Sequence, residues 1–378
     1  MHFLGGGRKY INPKNSSCSI EQQLADCMAQ LESFSTRNRI YKVNFFAEVT
    51  SSAGFNQLSM KIEKLVAYGL PAPALCCLIA QAPAECEILA EVFYYSEKLW
   101  QQEYVTAGNS AGVIFKREGA TVFIGQVQAK TSVDCRENSE AAFKDMKNLL
   151  ALATLPLDSV VRQWNYIENI LGHDQGKQRY QEFNNVRSEY YETHFNETGF
   201  PAATGIGMEH GGIIIEFAAI DAPGVVSLPV NNPEQVAAHA YSKSVLAGAD
   251  HLVKLPPKFE RARYLELFDR KQIFISGTAS IRGEKTEGVG NPEEQTRLTI
   301  ENIQQLYSDN SLKILSDNTF HPKFGHARIY LKNRQDYSVV RKTFRRSFGN
   351  LPVVYLIADI CRNDLLVEIE GIFILGQV

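Results

Sequence analysis

The hydrophobic pattern of the chain alternates between a period near two and a period near 3.6, the signatures of strands and of amphipathic helices. The run TVFIGQVQAK around Gly125 reads as a strand, and so does QIFISGTASI around Gly277. A helical pattern follows each, AAFKDMKNLLALA in one place and EEQTRLTIENIQQLY in the other. Next come a strand pattern (VRQWNYI, ARIYLKN) and a second helix carrying Val-Arg (FNNVRSEYYETHF, YSVVRKTFRRSF). A proline, Pro201 or Pro352, then leads into a strand, and a last strand carries a glutamate, IIIEFAAI or VEIEGIFI. The landmarks hold their spacing: Gly277 lies 152 positions after Gly125, Asn302 lies 154 after Asn148, and Arg341 lies 154 after Arg187.

An internal repeat of this kind decides the fold reading. Each copy predicts strand–helix–strand–helix–strand–strand, an α+β unit with a mixed sheet and helices on one face. Two tandem units are expected, at residues 38–220 and 271–378, with residues 38–110 of the first adding strands and a helix before its core. Residues 1–37 read as an N-terminal extension. Residues 221–270, rich in proline, alanine and charge, read as a long connection of the kind that contributes to a binding pocket.

Composition narrows the function classes. A net charge of −3 over 378 residues gives no electrostatic case for nucleic acid or an anionic membrane surface. No apolar run approaches the roughly 18–20 residues needed to span a bilayer, and the N-terminal residues lack the apolar core of a signal peptide. The seven cysteines are odd in number and scattered, with no C-x-x-C pair, which predicts reduced thiols in the cytoplasm. Neither they nor the eight histidines have metal-ligand spacing, so no metal is expected.

The repeat resembles the RidA (YjgF) fold, and the pieces FNNVRSEYY, FPAATGIG, ISGTASIRG and ADICRNDLLVEIEG together resemble the chorismatase family. The resemblance spans roughly residues 120–378. It implies two tandem RidA/YjgF-like halves and an enzyme that needs no cofactor. It also implies chorismate as the small-molecule substrate and a chain working as a monomer. Asn232-Pro233-Glu234 stands where the family often has Asn-Pro-Arg, and extra residues lie between Tyr241 and Phe259.

Chorismate is a dianion with an enol ether. Holding it calls for arginines, whose planar fork matches a carboxylate, and cleaving it by hydrolysis calls for an acid that delivers a proton to carbon. Glu368 and Glu370 alternate on the last strand and so face one side. The resemblance assigns the acid to this strand, Glu368 ahead of Glu370, although Glu216 aligns with Glu368 in the first copy. Arg187, Arg261 and Tyr241 are expected to bind the substrate, with Arg362 as a further candidate and Thr204 as a hydrogen-bond donor. Arg187 has a repeat counterpart in Arg341, and Arg261 lies among other charges in KFERARY, so either can also be read as an ordinary helix-surface charge.

In the resemblance, alanine after Ser-Gly-Thr goes with hydrolysis to 3,4-dihydroxycyclohexa-1,5-diene carboxylate, and cysteine goes with elimination to 3-hydroxybenzoate. Ala279 occupies that position, which leaves room for water. FPAATGIG lacks the G-x-G-x-x-G length and following helix of a dinucleotide loop, and Cys361 reads as a packed small group. The alternatives are lyase-type elimination to 3- or 4-hydroxybenzoate, an imine deaminase, and a non-catalytic binding protein. The deaminases carry Pro-x-Arg, whereas the corresponding positions here are Ala203 and Val354.

Overall fold

Central strands buried along nearly their whole length and one apolar face on most helices produce three large sheets among the described residues, each with two helices packed on one side. The computed structural model describes residues 2–195, 199–248, 252–308, 311 and 320–377. The first sheet uses β1 (Gly7–Ile11), α1 (Ile20–Ser35), β2 (Arg39–Ala47), α2 (Ser52–Gly69), β3 (Leu75–Ile79), the two-residue β4 (Ala82–Pro83) and β5 (Ile88–Tyr95). The second uses β6 (Gln101–Ala107), β7 (Ser110–Arg117), β8 (Ala120–Ala129), α3 (Cys135–Leu152) and β9 (Val160–Glu168). After a small hairpin, β10 (His173–Asp174) and β11 (Lys177–Gln178), it continues through α4 (Arg179–Tyr191), β12 (Ala202–Met208) and β13 (Ile213–Asp221). The third uses β14 (Val226–Val230), β15 (Ala262–Leu267) and β16 (Arg270–Thr278), a second hairpin β17 (Ile281–Arg282) and β18 (Lys285–Thr286), then α5 (Pro292–Gln305). It ends with β19 (Phe320–Leu331), α6 (Tyr337–Phe348), β20 (Val353–Ile357) and β21 (Val367–Gln377).

The same four-strand core recurs three times. Its order is β3-β2-β5-β1 in the first sheet, β12-β9-β13-β8 in the second and β20-β19-β21-β16 in the third. In each, the outer pair is parallel and the last strand of the unit is inserted antiparallel beside it. The α+β class is therefore as the sequence implied. The N-terminal reading needs correction: residues up to Tyr95 are neither an extension nor a lead-in, but a third unit with the same connectivity. Local signals start the helices. Ser51 Oγ accepts from Gly54 N at 3.1 Å at the start of α2, Asp134 caps α3 through the amides of Arg136 and Glu137, and Asn291 caps α5 just before Pro292.

Each unit has its own helix-side core, such as Leu31, Phe45 and Val92 in the first or Phe143, Leu149 and Phe183 in the second. The helix-free faces of the sheets meet in the middle, where Tyr41, Phe115, Phe274 and Ile372 pack in one layer and Phe46, Trp164, Tyr330 and Leu356 in another. β4 pairs with β20, so the first unit completes the edge of the third sheet. No helix among the described residues is long and apolar enough to cross a membrane.

Candidate active site

The site forms where the edge strand of the second sheet meets the third. Between Ile275 and Thr278 β16 shifts register against β21, so Ser276 and Gly277 bulge opposite Glu370. Ser276 Oγ donates to Glu260 O at 2.6 Å and accepts from Ala203 N at 2.9 Å, which pins β12 to the bulge. At Gly277 a Cβ would overlap Glu368 Oε1 and stand 3.2 Å from Thr204 Cγ2. Only glycine lets the Glu368 carboxyl lie across the bulge.

Glu368 forms the floor of a cavity of about 280 Å³, walled by α4, β12, the 241–261 segment and the loop before β21. It is 4% exposed, and among the described residues nothing donates a hydrogen bond to it. Burial first, and then the nearby Glu370 charge, push its pKa up to about 8. A carboxylic acid so placed is protonated at neutral pH and able to donate.

Three guanidinium groups line the same cavity. Arg187, on α4, is 1% exposed; its Nη2 donates to Asn184 Oδ1 at 2.6 Å, its ring neighbours are Phe183 and Phe259, and its Nε is buried without a partner. Arg261 donates through Nη2 to Val236 O at 2.7 Å and to Tyr241 Oη at 2.5 Å, and its Nε is also buried and unpartnered. Neither makes an ion pair among the described residues. Arg362 donates to Glu284 O at 2.7 Å, and both it and Arg261 stack 5.3 Å from the Tyr241 ring. Two buried cations with open donors and no anion are an anion site in waiting.

The sequence candidates divide cleanly. Arg187, Tyr241, Arg261, Ala279, Arg362 and Glu368 converge on the one cavity. Thr204 and Glu370 do not. The Thr204 hydroxyl accepts from Arg162 Nη2 at 2.7 Å and donates to Glu370, so it has no donor left for a ligand. Glu370 is held by Arg162, by Thr204, by Arg328 Nη1 at 3.1 Å and by Tyr330 Oη at 3.1 Å. Those four partners occupy both its oxygens beneath the cavity, which corrects its candidacy as the acid. Of the extra residues between Tyr241 and Phe259, Ser244 to Ala247 and Pro257 line the cavity, and 249–251 lie outside the described residues.

Several lining groups escaped the sequence reading. Tyr180 and Asn184 lie on the same face of α4 as the expected Arg187, a pattern that was available in FNNVRSEYY and its preceding residues. Gln181 and Asn185 fasten the covering segment, with Gln181 Nε2 donating to Leu255 O at 2.9 Å and Asn185 Nδ2 to Val253 O at 3.1 Å. Cys361 lies on the wall beside Glu368; burial pushes its thiol up to about 12, so it stays protonated, consistent with a packed small group.

Fold and site define an α+β protein whose cavity sets a buried carboxylic acid among arginines with open donors. The family model described as "Chorismatase FkbO/Hyg5-like, N-terminal" matches residues 97–219. A 3-hydroxybenzoate synthase of Streptomyces hygroscopicus is 33% identical over 276 residues, which cover 70% of this chain and 77% of that protein. A chorismatase of the same organism is 29% identical over 288 residues, covering 73% and 78%. A solved chorismatase crystal structure shares the fold, with a TM-score of 0.72 at 23% identity and coverage of 97% and 98%. The chain belongs to the chorismatase family.

Proposed function

We propose that the protein cleaves the enolpyruvyl ether of chorismate and releases pyruvate, with Glu368 as the acid. The observation that carries this reading is the juxtaposition of a protonated, unpartnered Glu368 with Arg187 and Arg261, whose open donors suit two carboxylates. Glu368 gives its proton to the terminal methylene carbon, producing an oxocarbenium ion at the ether carbon. Water adds to that cation and returns a proton to Glu368. The resulting hemiketal collapses to pyruvate and 3,4-dihydroxycyclohexa-1,5-diene carboxylate. Tyr241, held by Arg261, faces the same volume and orients the substrate. Ala279, small and apolar on the wall, leaves space for the water.

One observation favours a second outcome from the same protonation. The 33%-identical relative is named 3-hydroxybenzoate synthase, and formation of 3-hydroxybenzoate plus pyruvate consumes no water overall. Product analysis separates the two: the diene acid supports hydrolysis, and 3-hydroxybenzoate supports elimination.

The reading places the reaction in the cytoplasm, since all seven cysteines are unpaired. It has the chain act as a monomer, because one chain supplies both walls of the cavity. The test is incubation with chorismate in the absence of added metal or cofactor, with pyruvate followed by a coupled lactate dehydrogenase assay.

A further inference from the structure

The glutamates of the last strands are not equivalent by chain offset alone. Glu91 on β5 faces Asn44, Glu216 on β13 faces Trp164 and Glu370 on β21 faces Arg328, each opposite the second strand of its own unit. These three are the repeated glutamates, and all three are buried where the sheets meet. Two positions earlier the chain has Leu89, Ile214 and Glu368. Glu368 is thus the one carboxyl in this row that the fold does not repeat.

The repeated glutamates sit in one connected network. Arg8 pairs with Glu91 at 2.7 Å and Lys42 with Glu216 at 2.7 Å. Arg328 bridges Glu91 to Glu370, and its Nη1 also donates to Tyr166 Oη at 2.6 Å, whose hydroxyl reaches Glu216. Arg162 pairs with Glu370. Among the described residues the network holds four cations, Arg8, Lys42, Arg162 and Arg328, against three carboxylates, so one positive charge is unmatched there. Arg162 is the cation at the edge nearest the cavity, sharing Thr204 with Glu370 directly behind the Gly277 bulge.

We infer that Glu370 and Arg162 are positioning residues for the proton of Glu368. Glu370, a fixed anion two residues away on the same strand face, adds to burial in keeping Glu368 protonated at rest. Arg162, the surplus cation, stabilises the Glu368 carboxylate that appears when the proton leaves. The other groups facing Glu368 are Arg261 from the inter-repeat segment, Tyr180 from α4 and Cys361 from the preceding loop. β16 offers only the backbone of its bulge, and Tyr330 from β19 is spent on Glu370. Burial draws the pKa of Arg162 down to about 10, which leaves it charged at neutral pH. With Glu368 ionised, the four cations stand against four carboxylates.

The role assigned to Glu368 rests on the proposed acid chemistry, but the test does not use chorismate. Protein labelled with ¹³C at glutamate side-chain carboxyls is titrated by NMR, the Glu368 signal being the one lost in Glu368→Gln. Glu370→Gln is expected to move its midpoint down by about 1–3 units, the usual effect of one near charge, and Arg162→Met to move it up. Where a single variant fails to fold, the double variant Glu370→Gln/Arg162→Met leaves neither charge orphaned. Its midpoint is expected below the unsubstituted protein's, since Glu370 is the stronger influence. Midpoints that stay fixed, or singles that move together, would overturn the inference. A failure to turn over chorismate would instead overturn the proposed substrate.

Discussion

Gly277 and Glu368 compete for the same space: the side chain that any other residue would place at 277 falls on Glu368 Oε1. The bulge in β16 and the missing Cβ therefore position the acid as directly as its own strand does. Gly277→Ala is expected to leave the fold intact while pushing the carboxyl aside. A displacement of about 1 Å costs on the order of 100-fold in rate. The coupled pyruvate assay, read beside a thermal melt, checks it: activity should fall by about that factor with little change in Tm.

Replacing the acid itself separates chemistry from stability. Glu368→Gln keeps the shape but removes the transferable proton, so kcat should fall by about 10²–10⁴. Stability should move the other way at high pH. The native pKa is raised, to about 8, above an unfolded value near 4.3, so the folded protein binds the extra proton in that window. The stabilisation is complete below about pH 4.3 and is lost progressively up to about pH 8. Denaturant titrations should show the parent losing stability relative to the glutamine variant across this range, and no further change above it.

The same pKa fixes the direction of the rate profile. An acid that must be protonated to act gives a kcat/KM that is highest on the acid side and falls as pH rises through about 8. A profile that rises through this region would identify a base, not an acid, as the rate-controlling group.

Arg187 and Arg261 should behave as binding residues. Arg187→Met removes a buried cation that makes no ion pair among the described residues, so the fold should lose little or gain slightly. Substrate affinity should suffer, with kcat/KM falling by about 100-fold, the loss of a charge-assisted hydrogen-bond pair. Arg187→Lys should not restore it, because an ammonium lacks the fork.

Much of this architecture was legible in the sequence, and the exceptions have physical causes. The two units were visible because Gly125/Gly277, Asn148/Asn302 and Arg187/Arg341 keep their spacing. The first unit was missed because none of those landmarks recurs before Tyr95, although ILAEVFYY carries Glu91 in the same strand position as IIIEFAAI carries Glu216. The offset from Gly125 to Gly277 aligned Glu216 with Glu368, whereas the bulge at Ser276–Gly277 shifts the register so that Glu216 matches Glu370. A bulge leaves no mark on hydrophobic periodicity. Thr204 lies in FPAATGIG beside the cavity, but only the structure shows its hydroxyl turned toward Arg162 and Glu370.

The most direct test of the central claim is pyruvate release from chorismate by the purified protein, run in parallel with Glu368→Gln and with the organic products resolved by chromatography. The account predicts stoichiometric pyruvate from the parent without added cofactor, together with a diene acid or 3-hydroxybenzoate, and almost none from the variant. Undiminished pyruvate from Glu368→Gln, or none from a folded parent, would contradict it.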